Sequence, residues 1–254
     1  MLTTGEDVLI VILVVGCSLL FQISLNRLWT AERRKTHNDL IGWQLSIVGT
    51  TYAVIVGFML YTVWTNFGVA QLNADQEATA LVNIYQLADG LPKEQRDQIK
   101  ATARMYAAAV LDKDWPEMAQ GYEGTLASNE LEQKMWQILM SLKFASPTEV
   151  SAQDHAVSEL SSLADHRRIR QLQSISRLPG VLWFVLIVGG VVTIMQSCMF
   201  GSGSSFLHGL QVFAFSLLVA LSLIAIADID RPFQGAVHVK DTPFQRAQMN
   251  VGRP

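Results

Sequence analysis

Long apolar stretches alternate with polar ones along the chain. Four segments are almost free of charged residues, and they cover residues 8–25, 45–67, 180–200 and 206–227. Each is about as long as the ~20 residues that a helix needs to cross the hydrocarbon core of a bilayer. A helix buried in a water-soluble core rarely stays uncharged over that length. The pattern therefore predicts four transmembrane helices.

The polar stretch between the second and third spans, residues 68–179, has the periodicity of helices. Neither proline nor glycine interrupts residues 69–89, so we expect the second span to continue into water as one long helix. Further on, Ser146, Pro147 and Glu149 have the types and spacing of a helix start. Strand-type alternation is absent from the sequence. We predict an all-α membrane protein with four transmembrane helices and a helical extramembrane domain between the second and third.

The same pattern predicts where one part of the chain gives way to the next. We expect transmembrane helices 1 and 2 in residues 1–67, the helical domain in 68–179, transmembrane helices 3 and 4 in 180–228, and a tail in 229–254.

The first apolar segment has an alternative interpretation. Val14, Val15, Gly16 and Cys17 have the form of a lipoprotein cleavage site. However, acidic Glu6 and Asp7 precede the segment, whereas a signal peptide begins with a positively charged region. We therefore expect a first transmembrane helix, and cleavage before Cys17 is the alternative.

Composition supports a membrane protein and disfavours several other classes. Hydrophobic residues make up 50% of the 254 residues and charged residues only 16%, whereas soluble domains carry about 25% charge. The net charge of −3 gives no basic signature, so nucleic acid is not an expected partner. Catalytic and phosphate-binding motifs are missing, and Cys17 and Cys198 lie in separate apolar spans. We predict no enzymatic activity, no cofactor and no metal, and membrane lipid as a partner.

The second span has two contrasting faces. At 100° per residue, one stripe combines polar and apolar side chains and consists of Gln44, Thr51, Ile55, Phe58, Thr62 and Asn66. The opposite face carries Gly49, Ala53 and Gly57, a small-residue pattern that lets helix backbones approach closely in lipid. A mixed stripe is disfavoured against lipid. It either packs against another helix through its threonines or lines a pore.

Two further groups of residues are candidates for a functional role. Arg167, Arg168 and Arg170 form a predicted basic face of the helical domain, solvated or between subunits. The fourth span ends in a predicted turn that contains Asp228, Asp230, Arg231, Pro232, Phe233 and Gly235. Proline cannot continue the helix, and glycine lets the chain reverse. We expect Phe233 to pack back against the helical domain. Asp228, Asp230 and Asp241 are too few for the six to eight oxygen ligands of Ca²⁺.

Several short motifs occur together in a recognisable order. They are His37-Asn38-Asp39, Gly57-Phe58, Trp64, Glu77-Ala78, Tyr106, Trp115-Pro116-Glu117-Met118, Arg167-Arg168 and Asp230-Arg231-Pro232-Phe233-Gln234-Gly235. In these motifs the chain resembles the bacterial bestrophin-like membrane proteins, long labelled a domain of unknown function, over residues 37–244.

The bestrophins themselves are a more distant comparison. They are pentameric anion channels with four spans per subunit, cytosolic helices and termini, and an apolar neck on the second span. The resemblance implies a homo-oligomer, either a pentamer or another ring, that conducts small inorganic ions. It also implies the bacterial inner (cytoplasmic) membrane. Basic residues near the spans point both ways, since the short first loop is densely basic whereas the side of the termini and the helical domain carries more basic residues in total. We expect the termini and the helical domain in the cytoplasm. The bestrophin turn after the fourth span is Pro-Phe-Gly and rich in acids. Here Pro232-Phe233-Gln234-Gly235 has one inserted residue and few acids, which argues against calcium gating of that type.

Two functions from different classes are compatible with these observations. The first is an ion channel, expected to pass anions, in which Ile55 and Phe58 form an apolar neck that closes by dewetting. The second is a non-conducting membrane scaffold or sensor whose helical domain binds a partner. In that case Ile55 and Phe58 are ordinary packing residues.

Overall fold

The structure, a computed structural model, describes residues 4–122, 126–141 and 146–252. Within these ranges the chain folds into helices connected by short loops, without any strand. The α-helices are α1 (Thr4–Leu28), α2 (Ala31–Lys35), α3 (Asn38–Leu87), α4 (Lys93–Ala109), α5 (Trp115–Gln120), α6 (Leu126–Met140), α7 (Pro147–Ile175), α8 (Gly180–Met199), α9 (Ser205–Ile229) and α10 (Thr242–Val251). A 3₁₀ turn, Ala88–Gly90, follows α3, and a π-helical turn, Val110–Asp114, joins α4 to α5.

Four helical segments in the described part of the chain are long and apolar enough to cross a membrane. They are Gly5–Leu28, Asn38–Gly90, Gly180–Met199 and Ser205–Ile229. The helices α4 to α7 lie between the second and the third of them. The predicted fold class is therefore confirmed: this is an all-α membrane protein with four transmembrane helices and a helical region between the second and third.

The second span and the helix that follows it are one continuous helix. α3 has 50 residues, which at about 1.5 Å per residue makes it ~75 Å long. A bilayer core is about 30 Å thick, so more than half of α3 lies beyond the span. α3 ends at Leu87 and is followed by the 3₁₀ turn Ala88–Gly90, two residues before Pro92, and glycine and proline at these positions are typical of a helix end.

The chain divides into two compact units. The membrane unit consists of Met1–Thr65 and Arg177–Asp230, and the helical unit of Asn66–Ser176 and Arg231–Pro254. The helical unit thus includes the tail that follows the fourth span.

In the membrane unit, α1, α8 and α9 pack on one another, and α3 contributes Tyr52 and Val63 to two small apolar clusters. Glycines make the closest approaches. A Cβ added to Gly189 would lie 2.7 Å from Cδ2 of Tyr52, and one on Gly190 would lie 2.9 Å from its hydroxyl. The Tyr52 ring therefore lies so close to α8 that a side chain at Gly189 or Gly190 would clash with it.

The loop between α8 and α9 is fastened to the start of α3. Asn38 Nδ2 donates to the Gly201 carbonyl at 2.8 Å, and the Gly201 N–H donates back to Asn38 Oδ1 at 2.8 Å. Arg34 is fully buried beside them and donates to the Cys198 carbonyl at 2.9 Å and to the Asn26 side chain. A Cβ on Gly201 would lie only 2.6 Å from the backbone nitrogen of Lys35.

The helical unit has one extended apolar core, to which α3, α4, α6, α7 and α10 contribute. The predicted start of α7 is confirmed. The Ser146 hydroxyl accepts from the Glu149 N–H at 3.3 Å, and Glu149 Oε2 accepts from the Ser146 N–H at 3.1 Å. This reciprocal capping satisfies two backbone donors that the first helical turn leaves open.

Candidate functional site

One face of the membrane part of α3 packs within its own subunit. Ile41, Tyr52 and Val63 are buried and lie eleven residues apart, close to three full turns. Tyr52 packs with Ile194 and Val212, and Val63 packs with Leu186 and Ile226 of α8 and α9. This buried face lies between the two faces that the sequence singles out, so both of these flank it.

Most of the mixed stripe is exposed within the single chain. Gln44, Thr51, Thr62 and Asn66 are exposed, and the side chain of Phe58 is 65% exposed. Ile55 differs, because it is half-buried and packs with Val63, Leu186 and Ile226 of its own subunit. Thr62 donates its hydroxyl to the Phe58 carbonyl at 2.8 Å, so this group is satisfied within the helix. Pore lining by the stripe stays a prediction.

The small-residue face also divides. A Cβ on Gly49 would lie 3.8 Å from Cγ2 of Thr193, so Gly49 faces α8. Ala53 and Gly57 are exposed, and a Cβ on Gly57 would have no described atom within 4 Å. For these two residues, a packing role requires a helix from another subunit.

The helical unit encloses a cluster of ionisable side chains that come from four separate segments. We call it the Arg170 cluster: Glu77 of α3, Tyr106 of α4, Asp114 of the π-helical turn and Arg170 of α7, all 0% exposed. Arg170 donates from Nε to Glu77 Oε2 at 2.6 Å and from Nη2 to Glu77 Oε1 at 2.9 Å. Its Nη2 also donates to Asp114 Oδ2 at 3.2 Å, and the Tyr106 hydroxyl donates to Glu77 Oε1 at 2.7 Å.

Aromatic rings cover this cluster. The Arg170 guanidinium lies 5.6 Å from the ring centroid of Trp115 and 5.7 Å from that of Phe244, within the range of a cation–π contact. Phe233 of the post-span turn meets Trp115 edge to face, with the ring centroids 5.6 Å apart. The cluster therefore links α3, α4, α7 and the tail within the helical unit.

The charges in the cluster stabilise one another. Burial by itself would lower the pKa of the Arg170 guanidinium, but the carboxylate of Glu77, its hydrogen bonds and the carboxylate of Asp114 outweigh this effect and raise the pKa. Burial also raises the pKa of the Tyr106 phenol, and the nearby Glu77 carboxylate raises it further. Arg170 thus stays charged and Tyr106 stays protonated at neutral pH. The arrangement is suited to holding helices together.

The three arginines that the sequence groups as one basic face lie in different environments. Arg170 is fully buried, so it does not belong to a solvated face. Arg167 Nη2 lies 2.7 Å from Glu132 Oε2, and its side chain is 11% exposed. Only Arg168 is solvated, with 72% of its side chain exposed. The reason is helical spacing, since Arg167 and Arg170 follow Leu160 and Leu163 on the inward stripe of α7.

The predicted post-span turn is divided between the two units. In the membrane unit, the Asp230 carboxylate accepts from the Leu178 N–H at 3.0 and 3.2 Å, next to the start of α8. Asp228 is half-buried there. In the helical unit, the Pro232 carbonyl accepts from the Val239 N–H at 2.7 Å. Gly235 has φ of +80°, a conformation that glycine adopts without strain.

Arg231 is half-buried in the same turn. The described residues contain no group of three or more side chains placed to hold a metal ion.

A comparison with known families decides the classification. The profile of the Bestrophin-like domain matches residues 12–244. The chain belongs to the bestrophin-like family. Among solved structures, this bestrophin-like protein is similar to a mutant of a bacterial bestrophin homologue from Klebsiella pneumoniae. The TM-score is 0.73 at 12% identity, and the match covers 95% of this chain and 97% of the other.

A second crystal structure, described only as that of a membrane protein, matches with a TM-score of 0.72. It is 12% identical, and 96% of this chain and 99% of the other are covered. At such identity the two matches establish the fold alone. No curated protein sequence matches the chain.

The Arg170 cluster was missed at the level of the sequence, although a signal for it was present. Glu77 lies in the series Ala70, Ala74, Glu77, Leu81, Ile84, and Arg170 lies in the series Leu160, Leu163, Arg167, Arg170, Ser174. Both series have the alternating three- and four-residue spacing of an inward helix face. Opposite charges on two inward faces indicate a buried ion pair.

Proposed function

We propose that this bestrophin-like protein assembles as a homo-oligomeric channel, with the membrane part of α3 lining the pore. Five subunits are the favoured number, and other ring sizes are the alternative. The proposed cargo is small inorganic ions, with anions favoured. Family membership and the bestrophin fold support a channel, and the second span supports the position of the pore.

The proposal rests on the difference in burial between the faces of the membrane part of α3. The face with Ile41, Tyr52 and Val63 is buried within the subunit, whereas Thr51, Phe58 and Thr62 are exposed on a stripe that mixes polar and apolar groups. Such a stripe gains little from contact with lipid. A ring of subunits would give it water on one side and neighbouring α3 helices on the other. Phe58 would supply an apolar constriction of the kind that closes by dewetting.

The proposed location is the bacterial inner membrane, with the termini and the helical unit in the cytoplasm. Even numbers of spans place both ends of the chain on one side. Basic residues near the ends of the spans on that side include Arg177, Arg231 and Lys240. The short first loop, with Arg33 and Lys35, carries positive charge on the other side and by itself favours the opposite orientation. Protease access to α6 in oriented membrane vesicles tests this topology.

The experiment that tests conduction uses purified full-length protein in liposomes and planar bilayers. We expect unitary currents and chloride flux, together with a ring-shaped oligomer by native mass spectrometry. A stable monomer in mild detergent would contradict the oligomer. An intact ring without current under any voltage or ionic condition would instead favour the non-conducting scaffold or sensor.

A further inference from the structure

The helical unit contains a groove between the extramembrane part of α3 and the tail. Its volume is about 670 Å³, within the range of roughly 300–1,000 Å³ that is usual for small-molecule sites. Gly68, Leu72 and Asp75 form the α3 wall, and their spacing places them on one helix face. The opposite wall is the chain from His238 to Arg246.

The two walls carry opposite charges that do not neutralise each other. Lys240 and Arg246 line the tail side and are exposed, and Asp75 lines the α3 side and is exposed as well. Among the described residues, none of these three side chains forms an ion pair. The groove is therefore a site with two cationic groups on one wall and one carboxylate on the other.

We propose that this groove binds a phosphoester that also carries an ammonium group, such as phosphoethanolamine. The phosphate would lie between Lys240 and Arg246, since both side chains are established phosphate-binding groups. The ammonium would donate to the carboxylate of Asp75. A simple anion would instead be repelled by Asp75, and a simple cation by the two basic residues.

The groove has room and surface for more than the charged groups. Leu72, Val239 and Pro243 also line the groove and give it apolar groups, which suits the carbon skeleton of an ester. Phosphoethanolamine is available as a free compound or as the head group of a phospholipid. Gly68 directly follows the apolar stretch that ends at residue 67, so the groove begins where α3 leaves the span and a lipid head group can reach it.

The first test measures binding to the purified full-length protein by isothermal titration calorimetry. The probes are O-phosphoethanolamine and inorganic phosphate. We expect saturable binding, tighter for phosphoethanolamine. Lys240→Gln or Arg246→Gln should weaken both probes about tenfold or more, which is the usual consequence of losing one charge-assisted hydrogen bond. Lys134→Gln, which removes the same charge from an exposed position on α6, should change neither.

Asp75→Asn separates the proposed ligand from any other anion. It should weaken phosphoethanolamine about tenfold while inorganic phosphate binds as well as before or better. Equal affinities of the two probes for the wild type, or a parallel loss of both in Asp75→Asn, would overturn the assignment of the ammonium to Asp75. Absence of saturable binding would overturn the site as a whole.

Gly68→Leu tests the position of the site and the source of its ligand. Apart from the adjoining backbone of α3, a Cβ at Gly68 has no described atom within 4 Å, so the first carbon of the new side chain meets open space and the longer side chain narrows the groove. We expect loss of phosphoethanolamine binding with the helical content and the oligomer unchanged. If Gly68→Leu loses the oligomer and the wild type binds neither probe, the groove is a contact with a neighbouring subunit. That result would overturn the proposal.

Native mass spectrometry after extraction from mixed phosphatidylethanolamine and phosphatidylglycerol nanodiscs distinguishes the two sources. Retained phosphatidylethanolamine that Gly68→Leu loses indicates the lipid. Binding of the free ester without such enrichment indicates the soluble compound. Both results support the site.

Discussion

The two compact units differ in what their buried groups do. The helical unit encloses one extended apolar core with a fully buried ion-pair cluster inside it. Among its described residues the membrane unit has two small apolar clusters, and its helices and loops approach closely at the glycines Gly189, Gly190 and Gly201. In the helical unit, which is surrounded by water, the hydrophobic effect drives the burial of apolar side chains. In lipid, where tails are as apolar as leucine, close backbone fit and hydrogen bonds take over. Removing a buried charged side chain should therefore destabilise mainly the helical unit, and adding a side chain at a closely packed glycine should destabilise mainly the membrane unit.

Removing Arg170 should have the largest effect. Arg170→Ala removes the guanidinium that pairs with the buried carboxylates of Glu77 and Asp114, and breaking a buried pair in this way costs about 3–5 kcal/mol. We expect amide hydrogen exchange to accelerate throughout α4 and α7, while α1 and α9 stay protected. Arg168→Ala is the matched control and should change stability by less than about 0.5 kcal/mol, because its side chain is 72% exposed. A similar small effect at Arg170 would mean that the cluster contributes little.

Gly201→Ala should act on the membrane unit and spare the helical unit. The added methyl group would lie 2.6 Å from the Lys35 nitrogen and 2.7 Å from the Ala31 carbonyl oxygen, so the backbone must shift. Overpacking of this kind costs about 1–3 kcal/mol. Gly203→Ala is the control, since its nearest neighbour is the flexible end of Lys35 at 3.6 Å. Thermal unfolding in detergent should show a lowered midpoint for Gly201→Ala alone.

These two sites also show how far sequence reasoning reaches. The spans, the continuous α3 and the start of α7 follow from local features such as apolar length, absence of glycine and proline, and capping residues. The Arg170 cluster depends on residues far apart in sequence, and each of its charges is individually typical of a solvated surface. Its partners meet only because α3 and α7 both turn that face inward. Gly201 likewise looks like an ordinary loop residue until its contact with α2 is known.

The mixed stripe of α3 shows the remaining limit. Helical spacing places Ile55 and Phe58 on one stripe, yet the structure buries Ile55 partly against Leu186 and leaves Phe58 exposed. The buried face lies beside this stripe, so residues at its two edges have different neighbours. Periodicity gives the faces of a helix, and the positions of the other helices decide which face is covered.

Tyr106→Phe should have a smaller effect that depends on pH. The variant removes one hydrogen bond to Glu77 and should cost about 1–2 kcal/mol near pH 8. Burial and Glu77 raise the pKa of Tyr106 above its ordinary 10.0. The folded state therefore holds the phenol proton more tightly, and this stability is present below pH 10 and lost as the pH rises through the folded pKa.

The pH dependence is measured by urea unfolding of the whole protein, wild type and Tyr106→Phe, at pH 8 and at pH 10.5, with a signal from the helical unit. The midpoint of the wild type should fall more between the two pH values than that of Tyr106→Phe, so the gap between them should narrow. Because other tyrosines and lysines titrate equally in both proteins, their effect cancels in the comparison. A gap that widens at high pH would contradict the assigned direction of the Tyr106 pKa.

The smallest effect on stability, with a separate effect on conduction, is expected at Phe58. Its side chain is 65% exposed in the single chain, so Phe58→Ala should leave the fold of the subunit nearly unchanged. If Phe58 forms a dewetted neck, its truncation should widen the constriction and raise chloride flux in liposomes. Ile55→Ala is the comparison: it removes a half-buried side chain from the cluster with Val63 and Leu186 and should cost about 1–2 kcal/mol of stability. Gel filtration and flux are measured on the same preparations. An intact oligomer with raised flux in Phe58→Ala supports the neck. Loss of both the oligomer and the flux would instead show that Phe58 packs between subunits.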